Sequence, residues 1–151
     1  MSLTNNLINK PQISSDGQHR EYIVTQADLI AGGAFTTVDI ILETFPAGAY
    51  LDESRIKHLV SVAGTSITAA TARLYFGPSG GLTAVGSGAL DVFQAPGTTD
   101  GTHSISSTTK IAGDVEDPNL LVMRVTTTGG NLSAVTAGKI EAVASLAQVG
   151  F

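Results

Sequence analysis

From Glu21 onward, apolar and polar residues alternate in short runs, with Gly, Pro and Asp between the runs. A period of two sends successive side chains to opposite faces of an extended chain, so each run predicts a β-strand. The first is Glu21 to Thr25. In the second, FTTVDIILETF, Val38, Ile40 and Leu42 share one face, and Thr37, Asp39, Ile41 and Glu43 share the other. PAGAY (Pro46 to Tyr50) turns the chain, and RIKHLVSVAG follows, ending at Gly64. TARLYFG sets Ala72, Leu74 and Phe76 against Thr71, Arg73 and Tyr75.

Pro78 to Gly88 is rich in glycine and reads as a loop or a weak edge segment. ALDVFQ is a short strand, and a turn centres on Asp100-Gly101. LLVMRVTTT (Leu120 to Thr128) is the most apolar run and reads as a central strand. The closing AGKIEAVASLAQV contains helix formers. However, Ile140, Ala142, Ala144 and Leu146 alternate with Lys139, Glu141, Val143 and Ser145, and no capping residue stands immediately before them, so a strand is predicted. Roughly seven to nine such strands at about ten-residue spacing, without a convincing helix, predict an all-β fold. The expected architecture is a single β-sandwich, jelly-roll-like, with a closed barrel as the alternative. Residues 1–20 are polar, with Leu3, Leu7, Ile8 and Ile13 as the apolar exceptions, and are expected to form an extended N-terminal arm outside the core. Residues 21–151 form the sandwich domain.

Composition narrows the function. Charged residues make up 14% of the 151, and Gly, Ala, Ser, Thr and Val dominate. A soluble monomer usually carries about 25%, so much of this surface is expected to meet partners. The net charge of -5 and a pI near 4.9 argue against nucleic acid as a partner, because that role needs a basic face. No secretory signal and no membrane-length apolar run is seen, so no membrane partner is expected. Without cysteine there is no disulfide, thiolate metal site or cysteine nucleophile.

One stretch, YLDESRIKHLVSV, crowds Asp52, Glu53, Ser54, Arg55, Lys57 and His58 together. On a strand, Ser54 and His58 point the same way but stand about 13 Å apart at roughly 3.3 Å per residue. A Ser/base dyad needs about 3 Å. The stretch is therefore read as a charged turn leading into a strand, with His58 facing the core beside Ile56, Val60 and Val62. His19 and His103 have no second His at metal-ligand spacing. GDVEDPN holds Asp114, Glu116 and Asp117 but lacks the rest of an EF-hand loop. GPSGG has no Lys-Ser/Thr pair after it, so it is not a phosphate loop. No catalytic, cofactor-binding or metal residue is assigned, no cofactor is expected, and the protein is expected not to be an enzyme.

The order of segments carries a resemblance. FPAGAYLDESRIKHLVSVAG is followed by ATARLYFG and a glycine-rich loop. Near the end stands GGNLSAVTAGKIEAVASLA, with Thr136-Ala137-Gly138 before the closing strand. From Tyr22 to Phe151 the chain resembles small β-sandwich virion structural proteins of tailed bacteriophages, of the head-decoration or cement type. The resemblance implies a homo-oligomer, with a trimer favoured. It also implies the major capsid protein or another virion protein as partner, a place in the virion, and synthesis in the host cytoplasm. Leu3, Leu7, Ile8, Asp52, Glu53, Arg55 and Lys57 are the candidate capsid or subunit contacts, and an intersubunit salt bridge is expected among the charged four. The alternative is a receptor- or glycan-binding domain of a tail fibre or other virion appendage, with Tyr75 and Arg73 as its best surface.

Overall fold

The structure is a computed structural model that describes residues 2–8, 12–13, 19–86, 88–93, 104–107 and 110–148. In chain order its elements are β1 (Ser2–Asn6), β2 (Gln12–Ile13), β3 (His19–Val24), α1 (Gln26–Ile30), β4 (Thr37–Phe45), β5 (Ala49–Gly64) and β6 (Ala69–Gly77). Then come β7 (Thr83–Ala84), β8 (Leu90–Asp91), β9 (Ser104–Ser107), β10 (Ile111–Ala112), β11 (Asn119–Thr128), a 3-10 turn (Leu132–Ala134) and β12 (Val135–Gln148).

The strands form two sheets. One runs β1-β4-β11-β6-β7, with β8 also on β6. The other runs β10-β5-β12-β3-β2, with β9 also on β5. The chain crosses from one sheet to the other between β1 and β2, β3 and β4, β4 and β5, β5 and β6, β8 and β9, β10 and β11, and β11 and β12. This is a jelly-roll-like β-sandwich. The apolar side of each alternating strand needs cover, and the facing sheet supplies it. Tyr22, Ile40, Leu51, Phe76, Met123 and Ile140 are all 1% exposed or less. β11 is central, as its apolar run predicts, lying between β4 and β6. β12 is a strand, with Ile140, Ala142, Ala144 and Leu146 buried.

Bulges account for most departures from strict alternation. The charged approach expected before Arg55 is already strand, since β5 begins at Ala49. Against β12, two residues of β5 (Glu53 to Leu51) span one step (Ser145 to Leu146). That extra residue lets Leu51 and Ser54 both face inward, with Asp52 and Glu53 between them. A bulge re-phases a strand by one residue, which no count of alternation predicts. The same device corrects Val60. It was expected in the core, but further register shifts at Lys139 and Ala137 leave it 44% exposed, while His58 and Val62 stay buried. A bulge in β4 beside Leu121/Val122 removes Glu43 from the outward row of Asp39 and Ile41 and aims it at the opposite sheet.

The alternation also hides a short helix. Thr25 caps α1, and the Asp28 carboxylate accepts the Thr25 amide at 2.8 Å and its hydroxyl at 3.0 Å. The T-x-x-D spacing is the readable signal. Five residues are too few to show a helical period.

The described residues of the N-terminal arm are extended and lie along the chain's own sandwich. β1 pairs in parallel with β4, Ser2 opposite Thr37 through Asn6 opposite Ile41. The Leu7 amide donates to Ile41 O at 3.0 Å, and the Ile8 amide donates to the buried Asp28 carboxylate at 2.9 Å. Leu7, expected outside the core, packs against it. An unpaired edge exposes a row of backbone donors and acceptors, and the arm supplies partners for β4.

Candidate functional site

With no ligand chemistry assigned, the relevant geometry is that of the surfaces. The outer face of the β5/β12/β3 sheet carries the charged stretch. Lys57 lies opposite Glu141, and Arg55 lies two pairs further along, opposite Val143. The Glu141 carboxylate takes both cations, Arg55 at 3.5 Å and Lys57 at 3.7 Å, with side chains 48%, 32% and 14% exposed for Arg55, Lys57 and Glu141. Asp52 meets Lys110 at 3.8 Å, and the Lys110 ammonium also lies 5.7 Å above the Tyr50 ring. Three of the four charged candidates thus have partners within the chain. Pairs this exposed contribute about 0–1 kcal/mol each, so they leave both cations available to a neighbour. Glu141 was missed from sequence because it is distant along the chain. The signal was its place on the polar side of an alternating run.

Glu53 is exposed and sits in one cross-strand row with Ser145 and His19. These three border a shallow depression of about 310 Å³ with Ser54, Arg55 and Ser106. A hydroxyl, an imidazole and a carboxylate therefore share a surface, but Ser145 occupies the middle of the row. In a nucleophilic triad the imidazole stands between hydroxyl and carboxylate, so this order does not relay a proton from the serine. Ser54 and His58 both face inward, as their spacing predicts.

Of the arm candidates, Leu3 stands opposite Val38 in the β1–β4 pairing, Leu7 is part-buried, and Ile8 is 60% exposed. Among the described residues, no three His, Cys, Asp or Glu side chains gather as a metal-binding group. His103 and the Asp100-Gly101 turn lie outside the described residues.

The outer face of the other sheet is tied together internally. Asp39 accepts two bonds from Arg124, at 2.7 Å from Nε and 2.9 Å from a terminal nitrogen. That hydrogen-bonded carboxylate raises the Arg124 pKa. The same guanidinium lies 4.3 Å from the centre of the Tyr75 ring. Arg73 donates to the carbonyls of Val85 (3.3 Å) and Gly86 (2.5 Å).

The acidic loop closes one end of the sandwich. Buried Asn119 accepts the Asp114 amide at 2.7 Å and donates to Asp114 O at 3.1 Å. The Asp114 carboxylate accepts the amides of Glu116 (2.7 Å) and Asp117 (3.0 Å), which lower its pKa. Val115, at the tip, is 80% exposed. A depressed carboxylate pKa stabilises the fold above the ordinary carboxylate range, and the contribution disappears as pH falls through the folded value. In a side-chain NMR titration, Asp114 is expected to protonate at lower pH than a model carboxylate. An unshifted midpoint would mean that the two amide bonds do not persist in solution.

No protein family and no curated sequence relative matches the chain. Its fold does have solved counterparts. It aligns with a chain in the capsid of Ralstonia phage GP4 over 99% of each chain, at a TM-score of 0.55 and 17% identity. It also aligns with a chain of the cyanophage Pam1 capsid asymmetric unit, over 85% of this chain and 82% of that one, at a TM-score of 0.51 and 18% identity. The likeness is one of fold: this chain has the architecture of small β-rich proteins found in phage capsid structures.

Proposed function

We propose that the protein is a non-enzymatic structural component of a phage virion, binding the outside of the capsid and stabilising or decorating it. The observation that carries this reading is the fold likeness to the Ralstonia phage GP4 capsid chain across the full length of both chains. A surface poor in charge supports it, since charge is depleted from the cores of protein interfaces. On this reading the partners are the major capsid protein or another virion protein and further copies of the chain, with a trimer favoured. The location is the virion, after synthesis in the host cytoplasm. The exposed Ile8 and the charged group Asp52, Glu53, Arg55 and Lys57 are contact candidates, with Leu3 and Leu7 completing the arm.

The glycan-binding alternative loses its best surface. The Tyr75 ring has Arg124 over it, and Arg73 is held by two backbone carbonyls.

Rebinding to particles tests the proposal. Capsids of the parent phage, stripped of this protein, are expected to take it up saturably on co-sedimentation and to survive heating better afterwards. Arg55→Glu is expected to weaken uptake. Failure of the unaltered protein to bind stripped capsids would overturn the reading.

A further inference from the structure

The arm is fastened to the sandwich mainly by polar contacts. β1 runs parallel to β4, so no hairpin turn holds the pair together. The next strand, β2, belongs to the other sheet. From Thr4 to Ile8 no side chain is fully buried: Thr4, Asn6 and Ile8 are exposed, and Asn5 and Leu7 are half-buried. Beyond the β1–β4 ladder, Leu7 N donates to Ile41 O, Asn5 Nδ2 donates to Ala31 O at 3.0 Å, and Ile8 N donates to Asp28 Oδ1 at 2.9 Å. An element with few buried apolar contacts opens at a lower free energy than the core it lies on.

Of these three acceptors, Asp28 is the charged one, and it is 2% exposed. Its two oxygens have different tasks. Oδ1 accepts the arm, through Ile8 N, while Oδ2 accepts the amide and hydroxyl of Thr25 and so caps α1. Among the described residues no cation pairs with Asp28, so these donors are what meets its charge. A hydrogen bond to a carboxylate is stronger than one to a neutral carbonyl, and a buried carboxylate short of a donor is costly. The helix has a separate anchor. Leu29 is fully buried in the core, so α1 keeps its seat when the arm leaves.

We infer that residues 2–8 are a releasable strap over the β4 edge, and that the Asp28 carboxylate is its clasp. Docked, the strap closes that edge to strands from other chains. Released, it leaves the backbone groups of β4 that faced it without partners, which is the condition under which an edge takes up another strand. The two facing sheets beneath are unaffected, because Thr4 to Ile8 place no fully buried side chain between them. The inference rests on contacts within one chain, so it stands or falls independently of the virion reading.

Residue-resolved hydrogen exchange by NMR tests it, with the Leu7 amide reporting on the strap and the Met123 and Val125 amides of β11 on the core. In the unaltered protein Leu7 is expected to exchange at least about tenfold faster than the β11 pair. Asp28→Asn keeps the shape of the side chain but has a single acceptor oxygen. Thr25 offers that oxygen two donors, so the amide group is left facing Ile8 N and the clasp fails. Leu7 exchange is expected to rise about tenfold or more, with β11 within about twofold. Ile8→Pro removes the donor and leaves Asp28 intact, so it serves if Asp28→Asn disturbs the whole fold, and the same selective rise is expected. Ile8→Ala keeps the amide and is expected to leave Leu7 within about twofold. Exchange of Leu7 in step with β11 would overturn the strap, since the arm would then open only when everything does. Unchanged Leu7 exchange in the Asp28→Asn and Ile8→Pro proteins, or equal release by Ile8→Ala, would overturn the clasp.

Discussion

Glu43→Ala is expected to cost about 2–3 kcal/mol of folding stability, measured by urea denaturation. Glu43 stands on β4 but works across the sandwich: one carboxylate oxygen accepts the Tyr22 hydroxyl at 2.8 Å, and the other pairs with Arg20. Both partners belong to β3 in the facing sheet, and the Arg20 guanidinium also lies 5.2 Å from the centre of the Phe45 ring. Arg20 and Glu43 are each about one-fifth exposed. Removing the carboxylate therefore leaves a poorly hydrated cation and a hydroxyl without their acceptor. Tyr22→Phe removes only the hydroxyl and is expected to cost about 1 kcal/mol. In the double variant the losses should fall short of their sum, because the Tyr22–Glu43 bond is lost only once. Strict additivity would mean the bond contributes nothing. Burial, followed by the Glu43 hydrogen bond and charge, raises the Tyr22 pKa. The unfolded chain then ionises this tyrosine first, so stability is full below about pH 10 and declines as pH rises further.

Gly64→Val is expected to be more damaging, at about 3 kcal/mol or beyond, with failure to fold at 37 °C as the severe outcome. A Cβ on Gly64 would strike the Ala134 carbonyl and lie 2.8 Å from Ile67 Cδ1. The carbonyl belongs to backbone that is itself bonded, since Thr65 N donates to Ala134 O at 3.3 Å, so it cannot swing aside as a side chain would. Gly80 is the matched control. A Cβ there would meet nothing within 4 Å, and Gly80→Ala is expected to change stability by less than about 0.5 kcal/mol. Equal urea midpoints for the Gly64 and Gly80 variants would refute the account of close backbone approach.

The fold could be read from the sequence where alternation is uninterrupted. Ala72, Leu74 and Phe76 on β6, and Ile140, Ala142 and Ala144 on β12, are buried as a period of two requires. What could not be read is where a strand carries an extra residue. Glu43, Asp52 and Val60 each sit at or beside such a point. A bulge depends on the partner strand as much as on its own sequence, so periodicity along one segment cannot reveal it. Pairing partners were hidden for a related reason. Arg55 and Lys57 were recognised as a surface cluster, but their carboxylate, Glu141, becomes a neighbour only through the β5–β12 ladder. The arm was legible as extended. Its docking was not, because the Asp28 carboxylate that receives the Ile8 amide belongs to a helix too short to announce itself.

The β5–β12 ladder also has a consequence for how the protein is made. β12 pairs with β5 on one side and β3 on the other, so it fills the middle of its sheet, yet it is made after every other strand described in that sheet. Until it emerges, β3 and β5 have no common neighbour, and the apolar faces of Tyr22, Leu51 and Ile56 lack their lateral cover. Long-range pairing of this kind makes folding slow and leaves unfinished chains prone to aggregate. A ribosome-bound chain truncated before Val135 should therefore remain open to proteolysis, whereas a chain that includes β12 is expected to close into the protected sandwich. The sheet that carries Arg55, Lys57 and Glu141 is therefore complete only once β12 is in place.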